Sequence, residues 1–325
     1  MHTPGTHDND NDNRGVLSKL VTRASSINRA LDEIGDKWCL LILQEGFWGV
    51  SAFNELMHAT GASRGVLSNR LKWLQSVGCL SRERGAAGQV RYHLTDKSLD
   101  LYQCALMALQ WERHHGRDRG AEDVVLRHRG CGSEFIPRVR CGACDGEIGA
   151  WDVDYAPGPG ATHDEREKKT RRRSSVPLGR VSGRRHYLGL INIVGDRWTA
   201  NLIALCFHGL TRFEQFHREL PVATNILADR LRLLLAQDIL VREPYQVRPP
   251  RHDYRLSARG EALFPWFLTL LHWGDRWCDA RGAGPPLRLT HRSCGEPLVA
   301  QVTCGACGEV LRAREVEFRA SPAQR

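Results

Sequence analysis

The chain has 325 residues, 42% of them hydrophobic, with 46 Lys and Arg against 37 Asp and Glu for a formal charge of +9. That is enough to build two or more packed domains, and no apolar run approaches the roughly 20 residues needed to span a bilayer. The charge itself says little about the folded parts, because residues 164–185 hold nine Lys/Arg and three Asp/Glu, which is most of the surplus.

The first fifteen residues, MHTPGTHDNDNDNRG, lack the apolar core of a signal peptide and read as a polar tail. A cytoplasmic location is expected. Beyond the tail, the chain reads as a duplication. Ile34-Gly35-Asp36-Lys37-Trp38 returns as Val194-Gly195-Asp196-Arg197-Trp198, an offset of 160 that Leu67/Leu227 and Arg70/Arg230 share. The offset grows to 162 at Trp111/Trp273 and to 163 at Cys131/Cys294, as loops of changed length between fixed elements would give.

Each copy follows one plan. Ile27, Ala30, Leu31 and Ile34 mark a helix stopped at Gly35, and Asp36 is placed to cap the next helix through Trp38, Leu41 and Ile42. Ser51 should begin a short helix. In the second copy Thr211 should do so, with Glu214 completing a capping box. The stretch ASRGVLSNRLKWLQSV (62–77) follows and returns as VATNILADRLRLLLAQ (222–237). Leu67, Leu71 and Leu74 form one apolar stripe, with Ser63 and Thr224 as the expected N-caps. Two β-prone runs come next, 79–84 with 89–95 in copy one and 239–245 with 251–256 in copy two, each reading as a hairpin. A strongly apolar helix closes each copy, from Leu99 to Trp111 and from Ala262 to Trp277. Its surplus apolar surface suggests packing against another helix of its kind, a possible homodimer contact.

Helix, helix–turn–helix, hairpin, helix is the order of a winged helix, whose second HTH helix reads bases while the hairpin meets phosphate. The candidate DNA contacts in copy one are Ser63, Arg64, Ser68, Asn69, Arg70 and Lys72 on the helix and Arg82, Arg84 and Arg91 on the wing. In copy two they are Thr224, Asn225, Arg230 and Arg232, with Arg242, Arg248 and Arg251 on the wing. Asp229 would repel phosphate or accept from cytosine, so half-sites of unequal sequence are expected. The alternative for the wing residues is ordinary solvated β-ribbon charge, and the whole element order favours the DNA reading.

The set IGDKW, FNEL, LSNRLKWL and a hairpin ending YHLT resembles the HxlR-type winged helix–turn–helix regulators of bacteria, over about residues 26–115 and 187–278. Copy two matches through VGDRW, RFEQF, LADRLRLL and its wing. The resemblance implies dimers that bind operator DNA, usually through their terminal helices. Relatives that sense oxidants use a cysteine just before the first helix. Here those positions read Ala24-Ser25-Ser26 and Arg185-His186-Tyr187, which does not support that mechanism.

Six of the eleven cysteines fall into two matching motifs, and in a cytosolic chain disulfides are the less favoured use. Cys39, Cys79, Cys104, Cys206 and Cys278 sit among apolar neighbours and read as small core residues. His128-x2-Cys131 precedes Cys141-x2-Cys144 by nine residues, and His291-x2-Cys294 precedes Cys304-x2-Cys307 by the same interval. Each set suits a small ribbon in which a nine-residue connector makes a hairpin and one His and three Cys hold Zn²⁺ tetrahedrally, giving two structural sites. A redox dithiol, an iron–sulfur cluster and a metal-free ribbon are the other readings.

The expected fold is α+β, mainly α: two tandem winged helix–turn–helix domains, each followed by a zinc-ribbon-like β-hairpin module. The divisions are a disordered tail at 1–23, winged helices at 24–120 and 186–282, and ribbon-like modules at 121–155 and 283–319. A basic flexible linker is expected at 156–185 and a tail at 320–325. The leading function is a sequence-specific regulator of double-stranded DNA, favoured as a repressor, in which two linked winged helices replace a homodimer. The alternatives are a protein-interaction module of a transcription complex and a regulator gated by metal or redox state. No P-loop, dinucleotide fingerprint or nucleophile elbow points to an enzyme, and no membrane partner is implied.

Overall fold

A computed structural model of the chain describes residues 19–86, 88–116, 124–167, 188–279 and 282–320. Most of the expected N-terminal tail, the basic run from 168 to 187 with the residues before the second copy's first helix, and 321–325 lie outside the described residues.

Copy one opens with strand β1 (Lys19–Arg23) and helix α1 (Ser26–Ile34), whose N-terminus is capped by Ser25 accepting from the Asn28 N–H. Gly35 ends α1. The Asp36 carboxylate then accepts from the Trp38 and Cys39 N–H groups and starts α2 (Lys37–Phe47), as its sequence position implies. Helices α3 (Phe53–Thr60) and α4 (Arg64–Ser76) form the helix–turn–helix, with Gly61 at φ +68° making the left-handed corner. Leu67, Leu71 and Leu74 are buried, and Ser63 caps α4. The wing is β2 (Leu80–Arg84) against β3 (Val90–Leu94), followed by α5 (Asp96–Leu99) and α6 (Tyr102–His115).

Strands β4 (Val124–His128), β5 (Pro137–Cys141), β6 (Val153–Pro157) and β7 (His163–Glu167) lead to copy two. There α7 (Leu188–Val194), α8 (Arg197–Phe207), α9 (Phe213–Glu219) and α10 (Thr224–Ala236) repeat the plan. The wing β8 (Leu240–Gln246) and β9 (Arg251–Leu256), then α11 (Ala258–Glu261) and α12 (Phe264–Trp277), complete the second winged helix. Strands β10 (Leu287–His291), β11 (Ala300–Cys304) and β12 (Val316–Ala320) end the described chain.

Several local expectations change. Gln215, not Glu214, closes the α9 cap, its Oε1 accepting from the Thr211 and Arg212 N–H groups. In copy one the capping acceptor is Glu55, reached by the Ala52 N–H, so α3 starts beyond Ser51. Thr224 is already inside α10, and Ala223, which has no capping oxygen, precedes it. The region expected as a flexible linker is partly ordered, because β7 pairs antiparallel with β1. Gly158 and Gly160 donate to the Pro286 and Pro285 carbonyls. A Cβ at either glycine would lie 2.1 Å from a carbonyl oxygen, so only glycine lets these two segments run so close together.

The largest change is in strand pairing. The nine-residue connectors do not close hairpins within a copy. Strand β4 pairs with β12, β5 with β11, and β6 with β10, each pair joining one copy to the other. Within a copy each knuckle returns to its own strand by one bridge only, such as Arg127 with Glu134 or Thr290 with Pro297. The outer edge stays open, and the other copy fills it. Val139 faces Val302, its own equivalent 163 residues on, so the pairing is reciprocal about that point.

The helices follow the same rule. Helix α12 packs on both α1 and α6. The Trp111 indole donates to the Arg259 carbonyl at 3.1 Å, and its equivalent Trp273 donates to the Lys97 carbonyl at 2.8 Å. Lys97 and Arg259 in turn donate to the Val77 and Gln237 carbonyls at the ends of α4 and α10. Residue i meets j while j′ meets i′, the reciprocity of a two-fold interface, here inside one chain. The surplus apolar faces of α6 and α12 are buried by this contact.

Candidate metal centres and nucleic-acid face

All eight proposed ligands come together, but not in the sets the sequence suggests. His128 and Cys131 meet Cys304 and Cys307, and Cys141 and Cys144 meet His291 and Cys294, with the ligand atoms of each set within 4.8 Å of one another. The expectation of one site per copy is therefore corrected: each site takes two ligands from each copy. The cause is the cross-copy pairing. Strand β5 ends at Cys141 beside β11, which ends at Cys304, while β4 and β10 end at His128 and His291.

In the first cluster His128 Nδ1 lies 3.3 Å from Cys307 Sγ, and Cys131 Sγ lies 4.0 Å from Cys304 Sγ. In the second, His291 Nδ1 lies 3.4 Å from both Cys144 Sγ and Cys294 Sγ. With Zn–S and Zn–N bonds of about 2.3 and 2.0 Å, the edges of a tetrahedron are about 3.5–3.8 Å, so the donors stand close to that spacing. Glycines at the knuckles make room for the turns: Gly132 and Gly295 have φ of +71° and +74°.

The thiols differ in how readily they ionise. The Ser133 backbone N–H is the main influence on Cys131 and helps hold it at about 6. At Cys307 the Glu309 N–H pulls the same way, but the adjoining Cys304 and Cys131 sulfurs outweigh it and carry the thiol to about 11. Sulfurs this crowded resist joint ionisation, and a divalent cation removes that repulsion. All eleven cysteines are free, and Cys39, Cys79, Cys104, Cys206 and Cys278 are buried as expected of core residues. Burial pushes Cys79 up to about 11 and Cys104 and Cys206 to about 12, which makes them inert.

The two clusters are not equivalent behind the histidines. His128 Nε2 has the Glu309 carboxylate at 3.8 Å. Among the described residues His291 Nε2 is buried without a hydrogen-bond partner, and the position equivalent to Glu309 is Gly146. A carboxylate behind a ligating imidazole fixes its tautomer and raises its basicity. Sequence reasoning missed Glu309, although its 163-residue offset from a glycine was visible.

On the helix–turn–helix faces, Ser63, Arg64, Asn69 and Lys72 are exposed and Ser68 is half-buried. Arg64 lies over the Phe53 ring. Thr224, Asn225 and Arg232 are exposed on α10. Arg70 and Arg230 are placed differently: Arg70 Nε donates to Asp36 at 2.8 Å and Arg230 Nε to Asp196 at 2.9 Å. Both lock the turn to the helix behind it. Arg232 pairs with Asp229 at 2.7 Å, which cancels charge on the copy-two helix. On the wings Arg82, Arg84, Arg242 and Arg248 are exposed, Arg91 donates to Ser51 Oγ, and Arg251 stands 3.9 Å from Glu214.

Residues 33–119 and 193–282 match the profile of the HxlR-like helix-turn-helix family. An HTH-type transcriptional regulator of Mycobacterium tuberculosis is 38% identical over 132 residues, which is 41% of this chain and 83% of that protein. The HTH-type transcriptional regulator YodB of Bacillus subtilis is 28% identical over 89 residues, 27% of this chain and 80% of its own length. The solved redox regulator HypR in its reduced form shares 32% identity over 27% of this chain and 87% of its own, with a TM-score of 0.26. No described helix is long and apolar enough to cross a membrane.

Proposed function

Because the chain belongs to the HxlR-like helix-turn-helix family and is a DNA-binding transcriptional regulator, we propose that one molecule grips an operator as a homodimer of its relatives would, with zinc clasping its halves. Helices α4 and α10 are the recognition helices and β2–β3 and β8–β9 the wings. Arg64 and Asn69 read bases from copy one, and Lys72, Arg82 and Arg84 hold phosphate. Copy two reads through Thr224 and Asn225 and holds phosphate through Arg242 and Arg248. Its helix contributes less charge because Asp229 holds Arg232. Occupying the operator is all that repression requires, and repression is the proposed output. The proposed compartment is the cytoplasm, where reducing conditions keep the ligand cysteines as thiols.

The observation that carries the single-molecule reading is the reciprocal contact of Trp111 with Arg259 and Trp273 with Lys97. It uses up inside the chain the surface a second chain would need. Zinc suits the clusters because three thiolates and an imidazole are its structural ligand set and four protein donors leave no open position. The role is therefore structural, and no enzymatic activity is proposed.

Selection of bound sequences followed by light scattering of the complex tests this reading. One chain per operator, two half-sites of different sequence and two zinc ions per chain are expected, with operator affinity falling after chelation. Arg64→Ala should relax preference at one base pair at a cost of about 1–3 kcal/mol. Two chains on a perfect palindrome would overturn the reading.

A further inference from the structure

A cavity of about 590 Å³ opens between the copies, walled by the start of α1, helix α8, the α9–α10 turn, the end of α12 and strand β6. Its size falls within the usual range for small-molecule sites. Leu205, Leu210, Leu220 and Leu271 supply apolar parts of its wall. Polar side chains break that wall, Arg197, His208 and Glu219 among them, and two others bear on a ligand. Asn201 is only 6% exposed and lines the cavity, and its amide has no hydrogen-bond partner among the described residues. Asp275 accepts one hydrogen bond, from Ser26 Oγ, and lines the same space.

The nearby cations are already matched to other carboxylates. Arg29 stands 3.7 Å from Asp279, and Arg197 stands 3.3 Å from Asp32 while its guanidinium lies over Trp198. Burial pushes Asp275 up to about 6, with Ser26 and the shared Arg29 only partly offsetting it and Asp279 adding to it. An amide without a protein partner and a mostly buried carboxylate thus face one cavity.

Both groups belong to one half of the molecule. At the equivalent positions copy one has Leu41 and Arg113, and Leu41 is 1% exposed. Where copy one sets Trp48 against Phe318 with ring centroids 4.7 Å apart, copy two has the smaller His208 against Tyr155 at 4.3 Å. The polar fittings and the reduced side chain therefore coincide on the same side.

We propose that this cavity binds an organic ammonium ion with an aromatic or aliphatic body. The ammonium meets the Asp275 carboxylate, a second polar group meets the Asn201 amide, and the body lies among the leucines and Trp198. Leu220 and Pro221, immediately before recognition helix α10, form part of the wall, so an occupant touches the turn that aims that helix. This binding claim stands apart from the DNA reading.

Calorimetric titration of the full metal-loaded chain with tryptamine, phenethylamine and indole-3-propionate, without DNA, tests it. One saturable site is expected for an amine, with the carboxylate analogue at least about tenfold weaker. Asp275→Asn and Asn201→Leu, the latter restoring the copy-one residue, should each weaken amine binding by about tenfold or more, while Arg113→Ala leaves it unchanged. Melting curves and zinc content establish that each variant is folded. Equal binding of amine and carboxylate overturns the proposal. So do unaltered affinity in both cavity variants, and no saturable binding of either amine up to about 1 mM to the folded wild-type chain.

Discussion

Paired cysteine substitutions distinguish ligand sets shared between the copies from sets confined to one copy. In Cys131→Ser/Cys307→Ser both losses fall on the His128 cluster, and the His291 cluster keeps all four donors. In Cys131→Ser/Cys144→Ser one loss falls on each cluster. A structural zinc site of this type contributes about 10–16 kcal/mol of apparent binding at neutral pH, or about 2.5–4 kcal/mol per ligand, so one lost thiolate weakens a site by roughly 70- to 900-fold. After dialysis against a chelator of intermediate affinity, mass-spectrometric metal analysis should therefore find one zinc per chain in the first variant and none in the second. Sets confined to one copy give the reverse. One zinc in Cys131→Ser/Cys144→Ser and none in Cys131→Ser/Cys307→Ser would refute the crossed arrangement and the strand pairing that produces it.

The clusters should also differ from each other: chelation should empty the His291 site before the His128 site, and Glu309→Gln should weaken only the His128 site, by about 10–100-fold. At Gly274 an added Cβ would lie 2.3 Å from the Ser26 carbonyl oxygen, so Gly274→Ala should cost about 1–3 kcal/mol, seen as a lower denaturant midpoint at unchanged slope. Gly65→Ala, where a Cβ meets nothing within 4 Å, should instead stabilise α4 by about 0.5–1 kcal/mol. Arg70→Ala should lower stability by about 1–3 kcal/mol while leaving the salt dependence of DNA binding unchanged. Lys72→Ala should reduce that salt slope by about 1, and a slope change in Arg70→Ala instead would make Arg70 a phosphate contact.

The winged helices were legible because their determinants are local. The Asp36 cap and the Leu67–Leu71–Leu74 stripe each act within a few residues, and each is where capping chemistry and periodicity put it. The ligand residues were legible from their spacing for the same reason. Their partition was not. A His-x2-Cys knuckle and a Cys-x2-Cys knuckle each bring two donors, and nothing within a knuckle says which second knuckle completes the site. That depends on which strand fills the open edge of β4 or β5, a contact between residues more than 160 apart in sequence. Arg70 was misleading for a related reason. It lies on the polar side of its helix, yet it faces Asp36, whose carboxylate was already committed to capping α2.

Fusion also changes what the two halves are free to become. In a two-fold homodimer each interface residue occurs twice, so a substitution that suits one copy of a contact is imposed on the other. A relative that matches over 132 residues, 83% of its length, is about one repeat long. In this chain the equivalents have separated. The carboxylate behind His128 has a glycine as its counterpart behind His291. Glu112, whose carboxylate accepts from the Leu190 N–H at the start of α7, corresponds to Gly274, which lets α12 press against the backbone of Ser26 at the start of α1. Two different solutions thus join each terminal helix to the other copy's first helix. Neither would serve both sides of a symmetric pair: the glycine supplies no acceptor, and the glutamate would clash where α12 meets α1. The same freedom allows Asn201 and Asp275 to stand on one side only, with Leu41 and Arg113 at the equivalent positions of the other. The proposed asymmetric operator and the proposed single small-molecule site would both follow from the same covalent link.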